Sequence, residues 1–381
     1  MRMARIMPAT RHVKVLILMF IAIPLSAATM GPNFQLVAQS QMQESLPSIG
    51  VDGVVVWNDS VARAGRVASA QPISDATELA AGPYRDSGVA SIGDESMVIF
   101  IRNDDLWGQR IGADGKPAGA PIYLAFTDSR HSQRIAIAAS RDRYLVVRSA
   151  SSVISGSILD AAGNILDFSI GMTGGEYGRY VERISAASNG DEFLLVWDTS
   201  TSEPWSTPCA LACPGEDRDV HAVIVGNDGH PRPETERILA SGAGDPDVAS
   251  NGHDYFVTWS RFGGGLTGQK IGAGLATAGE PITITTGRDF GSHVAWDGAL
   301  YDLAWIHADN SPVLMSDRIN DSGAVVEPLL NGIFGGFQSR DFDLTAGGGN
   351  IVFAVPVAGH LRLQYLSVTP APVGRVRSVR H

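Results

Sequence analysis

The stretch DVASNGHDYFVTWS, Asp247–Ser260, carries the fold in miniature. Small residues from Asp247 to Ser250 lead into Asn251-Gly252, and a nearly unbroken apolar run from Tyr255 to Trp259 follows. Asn-Gly between two such runs signals a tight antiparallel turn, because its left-handed backbone suits these residues. The apolar residues cluster instead of recurring every three or four positions. That excludes a helix and implies a strand covered on both faces.

Weaker copies recur along the chain. Aligned on the second strand they read VVVWND, VIFIRND, YLVVRS, FLLVWD, YFVTWS, YDLAWI and IVFAVP. The equivalent positions Trp57, Ile101, Arg148, Trp197, Trp259, Trp305 and Val355 step by 44, 47, 49, 62, 46 and 50 residues. Each copy continues into a third strand and a second glycine turn, as in GQRIGADG to Gly115 or AVIVGNDG to Gly229, and then a fourth strand such as EPITITT. A period of roughly 40–50 residues built from short strands is the mark of a β-propeller, one blade per repeat. The expected fold is therefore all-β, a single seven-bladed β-propeller of four-stranded blades.

The ends fit a closed ring. GPNFQLVAQS resembles a fourth strand with no blade of its own, so residues 34–40 are expected to complete the last blade and remove its open edge. The alternative leaves that segment as a linker and uses the tail near 373–379. The organisation is then a leader over 1–28, a closing strand and lead-in over 29–45, seven repeats over 46–367, and a basic tail over 368–381.

The leader has the pattern of a secretory signal peptide. Arg2, Arg5, Arg11 and Lys14 precede the apolar run Val15 to Ile23, and Ser26-Ala27-Ala28 supplies small residues for cleavage. The run is shorter than the roughly 18 residues a spanning helix needs. A secreted or periplasmic protein is expected, with no membrane insertion after cleavage. The net charge is −11 and the only lysines are Lys14, Lys116 and Lys270, so no basic stripe exists for nucleic acid. Cys209 and Cys213 are close enough in sequence to bridge if a local turn aligns them, and an oxidising exterior favours this over free thiols. A C-x3-C pair alone is not a zinc site.

The loops between blades share one rim with the loops joining second to third strands, and almost everything irregular lies there. These loops bring forward Arg134, Arg179, Tyr180, Arg183, Arg288 and Arg340, while the one long insertion adds Trp205. Loops on a rigid scaffold are where binding residues usually sit, although Arg-Asp neighbours also pin loops together. A narrower set comes from the first strands. Asp247, His293 and Asp343 occupy equivalent positions in three successive blades, with Ser185 there in blade four and, if that blade's first turn is one residue shorter, Ile137 in blade three. Facing the channel mouth, with Arg134 and Arg183 across the opening, they admit three chemistries. Paired carboxylates hydrolyse glycosides, a histidine with a tyrosine or arginine abstracts the proton beside a uronate carboxyl, and carboxylates with histidine hold calcium. His131 is a second candidate base. A purely structural lining of a watery channel competes with all three. No cofactor motif is evident: G-x-S-x-G, H-E-x-x-H and a strand-to-helix G-x-G-x-x-G are all missing.

The unit built from Asn189-Gly190 with Phe193 to Trp197, Asn251-Gly252 with Tyr255 to Trp259, and Gly268 to Gly272 is similar to repeats of secreted bacterial seven-bladed β-propeller proteins. The resemblance spans residues 34–367 and departs at Ile101, Arg148 and Val355, where tryptophan is replaced. It implies a scaffold that elsewhere serves polysaccharide lyases, lactonases, redox enzymes and interaction modules, so it carries over no catalytic residue. The Ser-x-Asp-x-Gly-x-x-Trp boxes of sialidases are missing. The expected partner is a polysaccharide or an extracellular or periplasmic protein bound at the loop-rich face, with an acidic-polysaccharide lyase as the alternative and glycoside hydrolysis behind it.

Overall fold

The computed structural model describes residues 29–35, 47–50, 53–58, 61–66, 77–81, 84–126, 134–173, 178–201, 217–276, 279–308, 312–320, 322–333, 342–347, 350–357 and 360–367. The leader, the basic tail, His131, Trp205, Cys209, Cys213 and Arg340 lie outside them. Seven antiparallel sheets form, each of four strands, and six follow chain order from the innermost strand outward. The innermost strands are Ser48–Ile49, Tyr84–Ile92, Ile135–Ala139, Tyr180–Ser188, Ala243–Ser250, Asp289–Trp296 and Asp343–Gly347. Two single turns of 3-10 helix, Pro233–Thr235 and Ala273–Leu275, are the helical segments among the described residues.

The second strand of each blade explains the ring. Side chains alternate between the faces of a strand, and here both faces are covered. Leu194 and Val196 pack with Tyr255 and Val257 of blade five, while Phe193, Leu195 and Trp197 pack with Leu145 and Val147 of blade three. The same division repeats at every blade boundary. The circle closes where Val352 and Ala354 of blade seven meet Val55 and Trp57 of blade one. The tryptophans at the repeat position, Trp57, Trp197, Trp259 and Trp305, are all buried in these interfaces. Ile101 and Val355 fill the same role with smaller side chains. Arg148 is half-buried there, and desolvation lowers its pKa below the ordinary arginine value.

The seventh sheet takes its outer strand from the other end of the chain: Thr29–Gln35 pairs antiparallel with His360–Ser367. This closing strand starts earlier than residues 34–40 and, among the described residues, overlaps that range at Phe34 and Gln35; residues 36–40 lie outside them. An isolated strand has no hairpin turn to set its register. The pairing shifts between Met30 and Asn33.

The turns behave as their residues require. Asn251 Oδ1 accepts from the backbone N–H groups of His253 and Asp254 at 2.9 and 2.8 Å, and Gly252 takes φ +88°. Glycine is required twice over at Gly229, where φ is +85° and a Cβ would lie 2.8 Å from the Cβ of Ile158 in the preceding blade. Gly229→Ala is therefore expected to destabilise the fold by about 1–3 kcal/mol, through backbone strain and overpacking together. Urea denaturation would show this as a lower midpoint with an unchanged slope.

Candidate functional site

The innermost strands enclose one cavity of about 630 Å3, lined by residues from all seven blades. Strand pairing defines a ring of seven equivalent positions around it. They are occupied by Ser48, Ser87, Ala136, Ser185, Asp247, His293 and Asp343, each opposite the residue that precedes the repeat tryptophan position. In blade three this is Ala136, opposite Val147, so the assignment of Ile137 is corrected by one residue. Small neutral residues line one side of the ring, and an acid–imidazole–acid sector lines the other.

Asp247, His293 and Asp343 come together. Nδ1 of His293 lies 3.4 Å from Asp343 Oδ1 and 3.8 Å from Asp247 Oδ2. Arg183 reaches from blade four to blade six, with Nη2 at 2.8 Å from His293 Nε2 and 3.4 Å from Nδ1. A guanidinium only donates, so Nε2 accepts and the ring proton falls to Nδ1, which faces the carboxylates. Phe342 backs the imidazole at a ring distance of 4.6 Å.

The two carboxylates also stitch blades together. Asp247 Oδ1 accepts from Ser185 Oγ at 2.6 Å, and its Oδ2 accepts from Val294 N at 2.8 Å. Asp343 Oδ2 accepts from Ile49 N at 2.9 Å and Ser48 Oγ at 3.3 Å, and its Oδ1 accepts from Leu344 N at 2.8 Å. Asp86, buried in blade two, accepts in the same way from Ile135 N at 3.2 Å. These acids are therefore held by the scaffold as well as lining the channel.

Beside the polar sector, toward the loop-rich rim, lies a charged network that residue spacing did not reveal. Arg218 is buried and pairs with Asp198, and it sits 3.6 Å from Asp245. Asp198 also accepts from the backbone N–H groups of Arg183 at 2.8 Å and Asp245 at 2.7 Å. Burial opposes the Arg218 charge, yet Asp198, Asp245 and Glu182 together raise its pKa. Asp245 takes φ +54°, in the left-handed region. Glu182 lines the same cavity from a bulge between Val181 and Arg183, and bulges re-aim side chains. Desolvation raises its pKa; Asp198 and Asp245 add to this, while Arg218 and Arg134 oppose it.

The remaining sequence candidates divide. Arg134 lines the cavity, and its Nε donates to the carbonyl of Glu182 at 2.8 Å. Arg179 is turned away from it, donating to Asp219 Oδ2 and Asp217 O at 2.7 Å each and to Thr199. Together with Thr201 and Asp217 it ties the two ends of the long insertion. Tyr180 is half-buried on its strand, and Arg288 is exposed on the rim; neither lines the cavity. Among the described residues, no group of three or more His, Cys, Asp or Glu side chains is arranged to hold a metal ion.

No protein-family model and no curated protein matches this chain. Among solved structures it is similar to the WD40 domain of Toxoplasma gondii coronin, at 10% identity and a TM-score of 0.54, over 91% of this chain and 87% of that one. Two further structures align less well. The Dos1 propeller gives 9% identity and a TM-score of 0.49 over 89% and 95% of the two chains. Hsv2 of Kluyveromyces lactis gives 11% and 0.48 over 85% and 90%. With the seven four-stranded sheets, the coronin likeness defines the chain as a seven-bladed β-propeller; at such identity it speaks to fold alone.

The raised pKa of Glu182 has a stability consequence with a definite sign. Between the ordinary carboxylate value near 4.5 and the raised value, the folded state keeps a proton that the unfolded chain has lost. Stability therefore falls as pH rises through that window. Glu182→Gln is expected to flatten this dependence, matching the parent at acid pH and exceeding its thermal midpoint at neutral pH. Thermal denaturation from about pH 4 to 8 checks the difference.

Proposed function

We propose that this propeller binds a glycan at the channel mouth on its loop-rich face, as an exported protein that is secreted or periplasmic. The observation that carries this reading is the channel cavity of about 630 Å3 with a one-sided polar sector, Asp247–His293–Asp343, met by Arg183 from across the channel. Its size falls in the ligand-pocket range of roughly 300–1,000 Å3, which admits a few sugar rings and not a folded partner. Hydroxyls of Ser48, Ser87 and Ser185 line the wall beside the charged groups, a mixture suited to sugar hydroxyls.

A second reading, an acidic-polysaccharide lyase, draws on one feature. His293 has carboxylates behind Nδ1, and its Nε2 lone pair is turned to Arg183. An imidazole oriented in this way can take the proton beside a uronate carboxyl while the bond to the neighbouring glycosidic oxygen breaks. Glycoside hydrolysis by Asp247 and Asp343 is less well supported, because both carboxylates already accept backbone N–H groups.

The purified protein would be run against neutral and uronate-containing polysaccharides, with and without calcium. Retention on an affinity gel is measured beside reducing ends and the ultraviolet absorbance of unsaturated uronates. Binding without either product is expected. Absorbance that rises with the parent and vanishes in His293→Ala would make the lyase primary. Retention of no polymer and release of no product would remove the glycan reading in favour of a protein partner.

A further inference from the structure

Arg110, Arg179, Arg218, Arg232 and Arg318 each meet a carboxylate in an ion pair. Arg134 and Arg183, both half-buried on the cavity wall, meet none among the described residues. This is not for want of acids, since the chain has 40 acidic residues against 29 lysines and arginines. Taking a guanidinium partly out of water is unfavourable unless an anion or several acceptors replace the lost solvent. Arg134 has one backbone carbonyl from Nε, at 2.8 Å, and the Glu182 carboxyl nearby, which burial holds toward its protonated form, while Arg183 has one imidazole.

The two cations are neighbours by construction. The carbonyl that Arg134 holds belongs to Glu182, the residue before Arg183, so blades three and four present both guanidinium groups from one side of the channel. The nearby acids are already engaged by the scaffold: Asp247 and Asp343, and Asp86 beside blade three, each accept from a backbone N–H of the next blade. A planar single negative charge matches the guanidinium fork in two parallel hydrogen bonds. A dianion would meet more repulsion from the same acids. Nε2 of His293, a neutral acceptor, then occupies the place a stronger acceptor would take.

We propose that Arg134 and Arg183 form a carboxylate receptor in the channel. Resting on the glycan reading above, this makes the ligand an acidic glycan whose uronate carboxylate displaces His293 from Arg183.

The test is titration calorimetry with oligogalacturonate and with its methyl ester, which keeps the sugar and removes the charge. The acid is expected to bind at least about tenfold tighter than the ester, the scale of a charge-assisted hydrogen bond. Arg183→Ala and Arg134→Ala should each lose that margin, weakening the acid far more than the ester. Arg183→Lys, which keeps the charge without the fork, should recover part of it. Arg288→Ala, on the exposed rim, serves as the control that binds like the parent, and thermal melts establish that every variant folds. Equal affinity for acid and ester would overturn the carboxylate receptor and leave the glycan reading standing. Binding of a short aspartate-rich peptide through Arg183, with neither sugar bound, would support the receptor and remove the glycan. No binding of sugar or peptide would overturn both.

Discussion

The structure rests on burial of the second strand of every blade on both of its faces. A strand apolar on alternate residues can cover one neighbour; a strand apolar throughout must be covered twice. Seven such strands in sequence leave no free face only if the blades close into a ring. Blade three alone cannot cover the second strand of blade four, because Phe193, Leu195 and Trp197 pack against it while Leu194 and Val196 point the other way, into blade five. Fully burying each large apolar side chain contributes about 1.5–3 kcal/mol. The interfaces therefore dominate the energetics, and the strand contributed by residues 29–35 protects the edge where the circle meets.

Closing the ring forces the innermost strands to converge, and the convergence creates the site. Alanine and serine occupy much of the wall, and charge enters where a blade lends a larger polar side chain. Carboxylates there serve two ends. Asp86, Asp247 and Asp343 accept hydrogen bonds from the first strand of the next blade, so they brace the barrel of inner strands. Asp247 and Asp343 also place their charge beside His293, which orients the imidazole toward Arg183. Bracing and preorganisation are one set of contacts, so the polar sector is as rigid as the scaffold that carries it.

A second group of charges braces the mouth at the rim ends of blades four and five. Asp198 ties Arg218 to the backbone of Arg183 and Asp245, joining the blade-four strand that carries Arg183 to the strained start of blade five. Non-glycine residues in left-handed conformations, such as Asp245, persist where surrounding interactions overdetermine them. Glu182 sits above this network, held toward its protonated form by burial. Arg134 and Arg183 line the channel next to this network.

Much of this was legible in the sequence because a repeat sets phase. Seven copies in register were enough for the blade count, the two-sided second strand and the role of the tryptophans. The same phase put Asp247, His293 and Asp343 at one level before any coordinates. What it could not convey lies where phase is broken. Bulges in blades two, four, five and six shift pairing just before the ring position, and through them Glu182 and Asp245 reach the mouth. The slip from Ile137 to Ala136 arises because the blade-three turn, closed by Ser140 N–H to the Arg143 carbonyl at 2.8 Å, is as long as those at Asn189 and Asn251 although it lacks Asn-Gly. The closing strand has no repeat turn of its own to set its start. Arg179 and Arg183 stand four residues apart in one loop and look alike in sequence. Only packing sent one to Asp219 at the stem of the insertion and the other across the channel to His293. Periodic burial is a local property that residues carry with them, whereas the direction of a charged side chain depends on which partners the closed ring brings within reach.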